Sequence, residues 1–288
     1  KYSDFRCALH GGRPLLLDGA MGTEVLARGL APDRNVDALN LTHPDAVAAI
    51  HREYIAAGAD IISTNTFCSN SLSQRHYGLE DRTAELNAAG ARIALCEAAK
   101  ADRRVYVAGT IGPVAPGDTV ADAMSEQAEV LVHAGVDLLL VETVMDITVL
   151  EASLTAIDGV RRDWSDIPVV ISMYVDSRTG RLLDGHCPEE VLNMGLRPAA
   201  LGFNCGDNPE ALLQTARTFV AVSPYPLIVY PSAGLPDAHE NYPTSPEVFA
   251  RLFAPFIQET HPAIIGGCCG TTPAHIAAVA QVVHDSGK

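Results

Sequence analysis

Cys268 and Cys269 stand side by side in the glycine-rich run Gly266–Gly270, and a third cysteine, Cys205, closes the apolar run that begins at Leu201. Three thiolates are a soft donor set that suits Zn²⁺, and three protein ligands leave the fourth tetrahedral position open, as a catalytic site requires. Adjacent cysteines rarely bridge each other, because a trans peptide holds their Cα atoms about 3.8 Å apart, short of the usual disulfide range. A free cysteine is more often a small buried hydrophobe. A pair among glycines, matched by a third cysteine at another strand end, favours metal. Three thiolates on Zn²⁺ leave one net negative charge, so the ion would activate water poorly. It would better hold another thiol as a nucleophilic thiolate.

Two carboxylates follow apolar runs in the same way, Asp18 after Leu15–Leu17 and Glu142 after Leu138–Val141. At one mouth they can grip an ammonium group or act as an acid/base pair; apart, each is a strand-end cap or a surface ion pair. Beside a thiol-binding metal, ammonium capture would orient an amino-thiol substrate. Asn65-Thr66-Phe67 can supply pocket hydrogen bonds, although a strand-to-helix turn uses the same residues. Cys68, His186 and Cys187 read as bystanders near the mouth, and Cys7 and Cys96 as packing residues. None of the ten histidines ends a candidate strand, which argues against a His-ligated hydrolase.

These residues need a scaffold that brings many strand ends together. Eight short apolar runs recur along the chain: Leu15–Leu17, Ile61–Ile62, Val105–Ala108, Leu138–Val141, Val169–Ile171, Leu201–Phe203, Leu227–Val229 and Ala263–Ile265. They start about 35 residues apart on average, which leaves room for a helix after each strand. Helical patterns fill gaps at Asp45–Ala57, Ala84–Ala99, Ala121–His133, Pro209–Val220, Pro246–Ile257 and Pro273–His284. Thr42-His43-Pro44 and Thr272-Pro273 read as helix caps followed by proline in the first turn. Ala57-Gly58-Ala59-Asp60 and Ala134-Gly135-Val136-Asp137 repeat one junction, a helix closed by glycine before a buried strand. The series predicts one (β/α)₈ TIM-type barrel spanning residues 1–288, with an open doubly wound sheet as the alternative. In a barrel the chemistry sits at the C-terminal ends of the strands, where the polar residues fall here.

The chain has 288 residues, 48% hydrophobic and 19% charged, enough apolar material for a large core. Lys and Arg number 20 against 35 Asp and Glu, a net charge of −15 that gives no general attraction to nucleic acid or anionic lipid. Seven cysteines are too few and too scattered for a disulfide framework, and no secretory signal or membrane-spanning run is evident. A reducing, cytoplasmic setting is expected.

The chain resembles the homocysteine S-methyltransferases over nearly its whole length. The matching segments are Leu15–Thr23, Ala57–Phe67, Val107–Pro113, Leu140–Thr143, Gly202–Cys205 and Gly266–Pro273. Within the family it is most similar to the homocysteine-binding module of cobalamin-dependent methionine synthase, through Thr64–Phe67 and Ala233–Pro236. The resemblance implies that Cys205, Cys268 and Cys269 hold zinc and that homocysteine sulfur takes the open site. It places Asp18 and Glu142 at the amino group, the amides around Gly22 at the carboxylate and Asn65 in the pocket. Pro231-Ser232 departs from the Pro-Asn that relatives often carry, and Asn35–Leu39 lacks the tryptophan of S-methylmethionine- and betaine-using relatives. The chain ends soon after Cys269, so methylcobalamin is expected on another module or protein. S-methylmethionine, betaine and selenohomocysteine-type chemistry are the alternatives within the family. A non-catalytic zinc barrel that docks a corrinoid protein is the alternative outside it.

Overall fold

A computed structural model describes residues 2–114, 119–161, 166–195 and 197–286. Eight parallel strands form one sheet in the order β1-β8-β7-β6-β5-β4-β3-β2. They are Leu15–Leu16 (β1), Ile61–Ser63 (β2), Tyr106–Ile111 (β3), Leu138–Val144 (β4), Val169–Met173 (β5), Ala200–Cys205 (β6), Leu227–Pro231 (β7) and Ile264–Ile265 (β8). A parallel bridge between Leu17 and Ile61 joins β1 to β2 and closes the ring. The fold is a (β/α)₈ TIM-type barrel, with all eight strands at the expected places.

Several strands run further than their apolar cores. β3 continues through Thr110, β4 through Glu142 and Thr143, and β6 through Asn204 to Cys205, because a neighbouring strand pairs their backbones whatever the side chain is. Glu142 and Cys205 therefore lie on the last rungs of the ladder, whereas Asp18, Asn65, Cys268 and Cys269 follow the ends of their strands. β4 carries an irregularity between Val141 and Val144, where its register against β5 shifts and Thr143 adopts φ +60°. Such a bulge re-aims the side chains of the strand end.

The helices follow the expected pattern with shifted ends: Tyr2–Leu9 (α1), Met21–Ala27 (α2), Leu39–Thr42 (α3), Pro44–Ala56 (α4), Ser71–Gln74 (α5), Thr83–Ala98 (α6), Val120–Ala134 (α7), Ile147–Arg161 (α8), Pro209–Val220 (α9), Pro246–Thr260 (α10) and Pro273–Ser286 (α11). Two expectations need correction. Among the described residues, β5 is followed only by the 3₁₀ turn Pro188–Asn193, so the fifth unit lacks its helix. The cap of α4 is His43; Thr42 instead ends α3 and its hydroxyl donates to the Ala38 carbonyl at 3.1 Å.

The repeated glycine junction is a structural clamp. α4 and α7 both end with a left-handed glycine, Gly58 at φ +106° and Gly135 at φ +98°. In each, the glycine N–H returns to the carbonyl three residues back and the next N–H to the carbonyl five back. Two residues after each glycine comes a buried aspartate. Asp60 accepts from the Leu16 N–H at 3.0 Å and pairs with Arg13 at 2.8 Å. Asp137 accepts from the Val107 N–H at 2.8 Å and pairs with Arg104 at 2.8 Å. Both clamps sit at the N-terminal ends of the strands, away from the candidate site.

Inside the barrel, Leu15, Leu17, Ile61, Ala108, Leu138, Leu140, Val170 and Ile228 form an apolar core, and α1 caps its floor with Phe5 and Leu9. Phe5 meets Tyr106 edge to face at 5.2 Å. Gly202 of β6 packs so closely on Ile228 that an added Cβ would collide with the Ile228 backbone carbonyl. Gly202→Ala is therefore expected to cost about 2 kcal/mol of stability through overpacking, measurable by urea unfolding. The reading of Cys7 and Cys96 as packing residues does not hold. Both thiols are exposed on α1 and α6, where a small residue on the outer face of a helix leaves no buried contact to make.

Candidate active site

At the C-terminal mouth lies a cavity of about 380 Å³ whose lining includes Asp18, Gly22, Asn65, Glu142, Cys205, Cys268 and Cys269. The barrel brings every site residue expected from the sequence to one place.

β7 runs between β6 and β8 and stitches the three cysteines together. The Cys268 N–H donates to the Pro231 carbonyl at 2.8 Å, the Ser232 N–H to the Cys205 carbonyl at 3.1 Å, and the Ala233 N–H to the Cys269 carbonyl at 2.8 Å. Thr271 fixes the turn after β8, donating its N–H and hydroxyl to the Cys268 carbonyl at 3.1 and 2.7 Å. Cys205 adopts φ +66°, which costs of order 1–3 kcal/mol and persists only where surroundings impose it. The three sulfurs lie within 4.8 Å of one another, with Cys205 and Cys269 at 3.9 Å. Tetrahedral Zn–S bonds of about 2.3 Å place ligand sulfurs about 3.8 Å apart, close to the Cys205–Cys269 separation, so the cluster could hold a metal ion.

Charge on the cluster accumulates unevenly. Donation from the thiols of Cys205 and Cys268 pulls the Cys269 thiol down to about 3. Hydrogen bonding to Cys205 and Cys269, with burial, pushes Cys268 well up. For Cys205 the bond to Cys268 acts downward, but the bond to Cys269 and burial prevail and push it up to about 12. One thiolate forms readily; three together need a compensating cation. Ser232, in the position where relatives often carry asparagine, bonds its hydroxyl to the Gly206 carbonyl and accepts the Gly234 N–H at 3.3 Å.

The carboxylates are individually braced, Asp18 buried and Glu142 half-buried. Asp18 accepts the Ser63 N–H at 2.7 Å and the Ser63 hydroxyl at 3.0 Å. Burial outweighs those bonds and, with the charge of Glu142, pushes Asp18 up to about 8. Glu142 accepts the Tyr230 hydroxyl at 2.9 Å, and burial pushes it up to about 7, with the Cys269 charge adding to the rise. A third carboxylate in the wall, Asp37, accepts the Cys68 N–H and Ser69 hydroxyl at 2.7 and 2.8 Å and is raised by burial to about 6. Arg34 is the one basic side chain among the described lining residues, and it pairs with Glu240 at 2.5 Å. The wall is built to receive a cation.

Asn65 is less available than expected. Its amide nitrogen donates to the Val36 carbonyl and to Asn40 Oδ1, both at 3.0 Å, which braces the β2 loop against the segment before α3. Cys68 lines the cavity, its thiol raised to about 12 by burial, while His186 and Cys187 do not line it. Ser63, Tyr230 and Asn204 have no role in the sequence reading. Tyr230 lies within an apolar run and resembles core; its only local signal is that it precedes Pro231-Ser232.

Among the described residues no helix is long and apolar enough to cross a membrane. The homocysteine S-methyltransferase family model matches residues 15–283. Among solved structures, the metallated form of homocysteine methyltransferase MmuM from Escherichia coli is 27% identical, covering 96% of this chain and 99% of that chain at a TM-score of 0.77. Its oxidized form is 28% identical over 93% of this chain and 95% of that chain, at a TM-score of 0.75. Dihydrodipicolinate synthase from Bacillus clausii shares only the fold, at 12% identity over 98% of this chain and 77% of that chain, with a TM-score of 0.55.

Proposed function

The chain belongs to the homocysteine S-methyltransferase family, and from that premise we propose that it methylates the thiol of homocysteine to give methionine, as one domain over residues 1–288, using a zinc ion held by Cys205, Cys268 and Cys269. The observation that carries this reading is the triad of sulfurs within 4.8 Å of one another beside two carboxylates in one cavity. Bound there, zinc would take the substrate sulfur and keep it as thiolate at neutral pH.

The rest falls to the chain's own groups. Asp18 and Glu142 receive the ammonium group and lose their protons to do so, held in place by Ser63 and Tyr230. The first-turn N–H groups of α2 around Gly22 have no partners within the helix and face the carboxylate. Asn65 shapes the wall. With amino and carboxylate groups fixed, the sulfur points to the mouth. It attacks the methyl carbon there as the bond to the carrier breaks and the carrier keeps the electron pair. A reducing, cytoplasmic setting would keep the thiols available, and all seven cysteines are unpaired.

We assign the donor to methylcobalamin on another module or protein. Exposed apolar side chains at the rim, Tyr77, Leu183 and Leu235, lie in segments after β2, β5 and β7 and suit a macromolecular carrier. A small onium donor, S-methylmethionine or betaine, is the second reading. The similarity to homocysteine methyltransferase MmuM is compatible with it. A donor panel with homocysteine decides: turnover only with methylcobalamin or a methylated corrinoid protein supports the first, and turnover with either onium compound supports the second. A folded, zinc-loaded protein that no donor drives would overturn the enzymatic assignment and leave a docking barrel.

A further inference from the structure

Asn204 is fully buried at the end of β6 and touches both halves of the site. Its Oδ1 accepts the Thr143 N–H at 3.0 Å and a short bond from the Ser172 hydroxyl. Its Nδ2 donates to Thr143 Oγ1 at 2.8 Å and points to Cys268 Sγ at 3.8 Å. Thr143 is the left-handed residue of the β4 bulge, directly after Glu142, so this one amide holds the turn that aims the carboxylate. Ser172 of β5 also lies beside Tyr230, the residue that holds Glu142. A hydrogen-bonded path thus runs from Thr143, covalently next to Glu142, through Asn204 to Cys268, joining the end of β4 to β6 and the turn after β8. Neither Asn204 nor Ser172 lines the cavity, so neither is placed to touch substrate.

We propose that Asn204, locked by Ser172, is a positioning residue that couples the ammonium subsite to the thiolate cluster. Filling the subsite changes the hydrogen bond that Cys268 receives, and metal loading changes the aim of Glu142. The coupling is reciprocal, as linkage requires. It rests on the proposed roles of the three cysteines and Glu142. An N–H···S bond withdraws charge from a thiolate, so its loss alters both the strength of the ligand and its spectrum; groups of this kind typically change metal affinity by about 10–100-fold.

The test uses the full chain loaded with Co²⁺, whose thiolate charge-transfer and d–d bands report the ligands directly. The probe is 2-aminobutyrate, which has the amino and carboxylate groups of homocysteine and no thiol. In the wild-type protein it is expected to shift the Co²⁺ bands without displacing a ligand. Ser172→Ala, which removes one hydroxyl and leaves every cavity group in place, should abolish that shift and weaken Co²⁺ binding about tenfold. Asn204→Asp, nearly isosteric but without the NH₂ donor, should move the charge-transfer band even with no ligand present. If 2-aminobutyrate binds to wild type and leaves the bands unchanged, the coupling is overturned while the site stands. The coupling is equally overturned if both variants respond as wild type does. If the wild-type chain takes up no Co²⁺, or never binds 2-aminobutyrate, the site assignment fails and the coupling with it.

Discussion

Cys268→Ala should yield a folded barrel that holds no stoichiometric metal and does not methylate homocysteine. The backbone that places Cys268 survives the change, since its N–H still reaches the Pro231 carbonyl and its carbonyl still accepts from Thr271. The thiol leaves behind Asn204 Nδ2 and the thiols of Cys205 and Cys269, each losing a weak partner, at a cost of about 1 kcal/mol. Binding loses one of three protein ligands. Metal affinity should fall by on the order of a thousandfold or more, because binding energy at such sites is shared among few bonds. Cys268→Ser should fare little better, since a hard oxygen replaces a soft thiolate. One zinc per chain retained in Cys268→Ala, by elemental analysis after gel filtration, would show that the ligand set is wrong.

Binding of the amino-acid portion of the substrate should tighten by several hundredfold, approaching about a thousandfold, between pH 6 and pH 8.5 and release protons at pH 7. Asp18 and Glu142, raised to about 8 and about 7, hold their protons at pH 6 in the ligand-free site. An ammonium ion needs them ionised, and its charge then pulls both values down. Measured with 2-aminobutyrate, the slope belongs to the carboxyls and not to a substrate thiol. Calorimetry in buffers of differing ionisation enthalpy counts the protons, and Asp18→Asn with Glu142→Gln should flatten the profile. Stability carries the same signature. Carboxyls whose folded values lie above their unfolded values of about 4 stabilise the ligand-free protein fully only below that pH. That contribution is lost as pH rises through about 7 and about 8. A thermal midpoint that rises over this range in ligand-free wild type would contradict the burial argument.

The barrel is legible in the sequence because a strand buried on both faces leaves an apolar run, and eight such runs with room for helices admit few architectures. The site is legible for a related reason. Asp18, Glu142, Cys205, Cys268 and Cys269 break those runs at one end only. What supports them leaves no local trace. Ser63 braces Asp18 from the adjoining strand, while Tyr230 braces Glu142 and Asn204 braces Thr143 from strands that are not neighbours in the sheet and lie far apart in sequence. Asn65 is a pocket residue by motif, yet its amide nitrogen is committed to Val36 and Asn40, partners no spacing rule identifies. The strand ends extend past the point where side chains turn polar because backbone pairing does not depend on side-chain polarity. The missing fifth helix is unreadable from strand spacing alone, since spacing gives room for a helix and not the helix.

The aspartate clamps below β1–β2 and β3–β4 have a consequence for how such a protein can change. Each ties an arginine two residues ahead of one strand to the aspartate that opens the next, with identical offsets in both copies. Nothing in either clamp touches the cavity. Substitutions at the mouth can therefore alter the reaction without loosening the joints that hold neighbouring strands together. Change can accumulate at the opposite rim while the lower half of the barrel stays as it is.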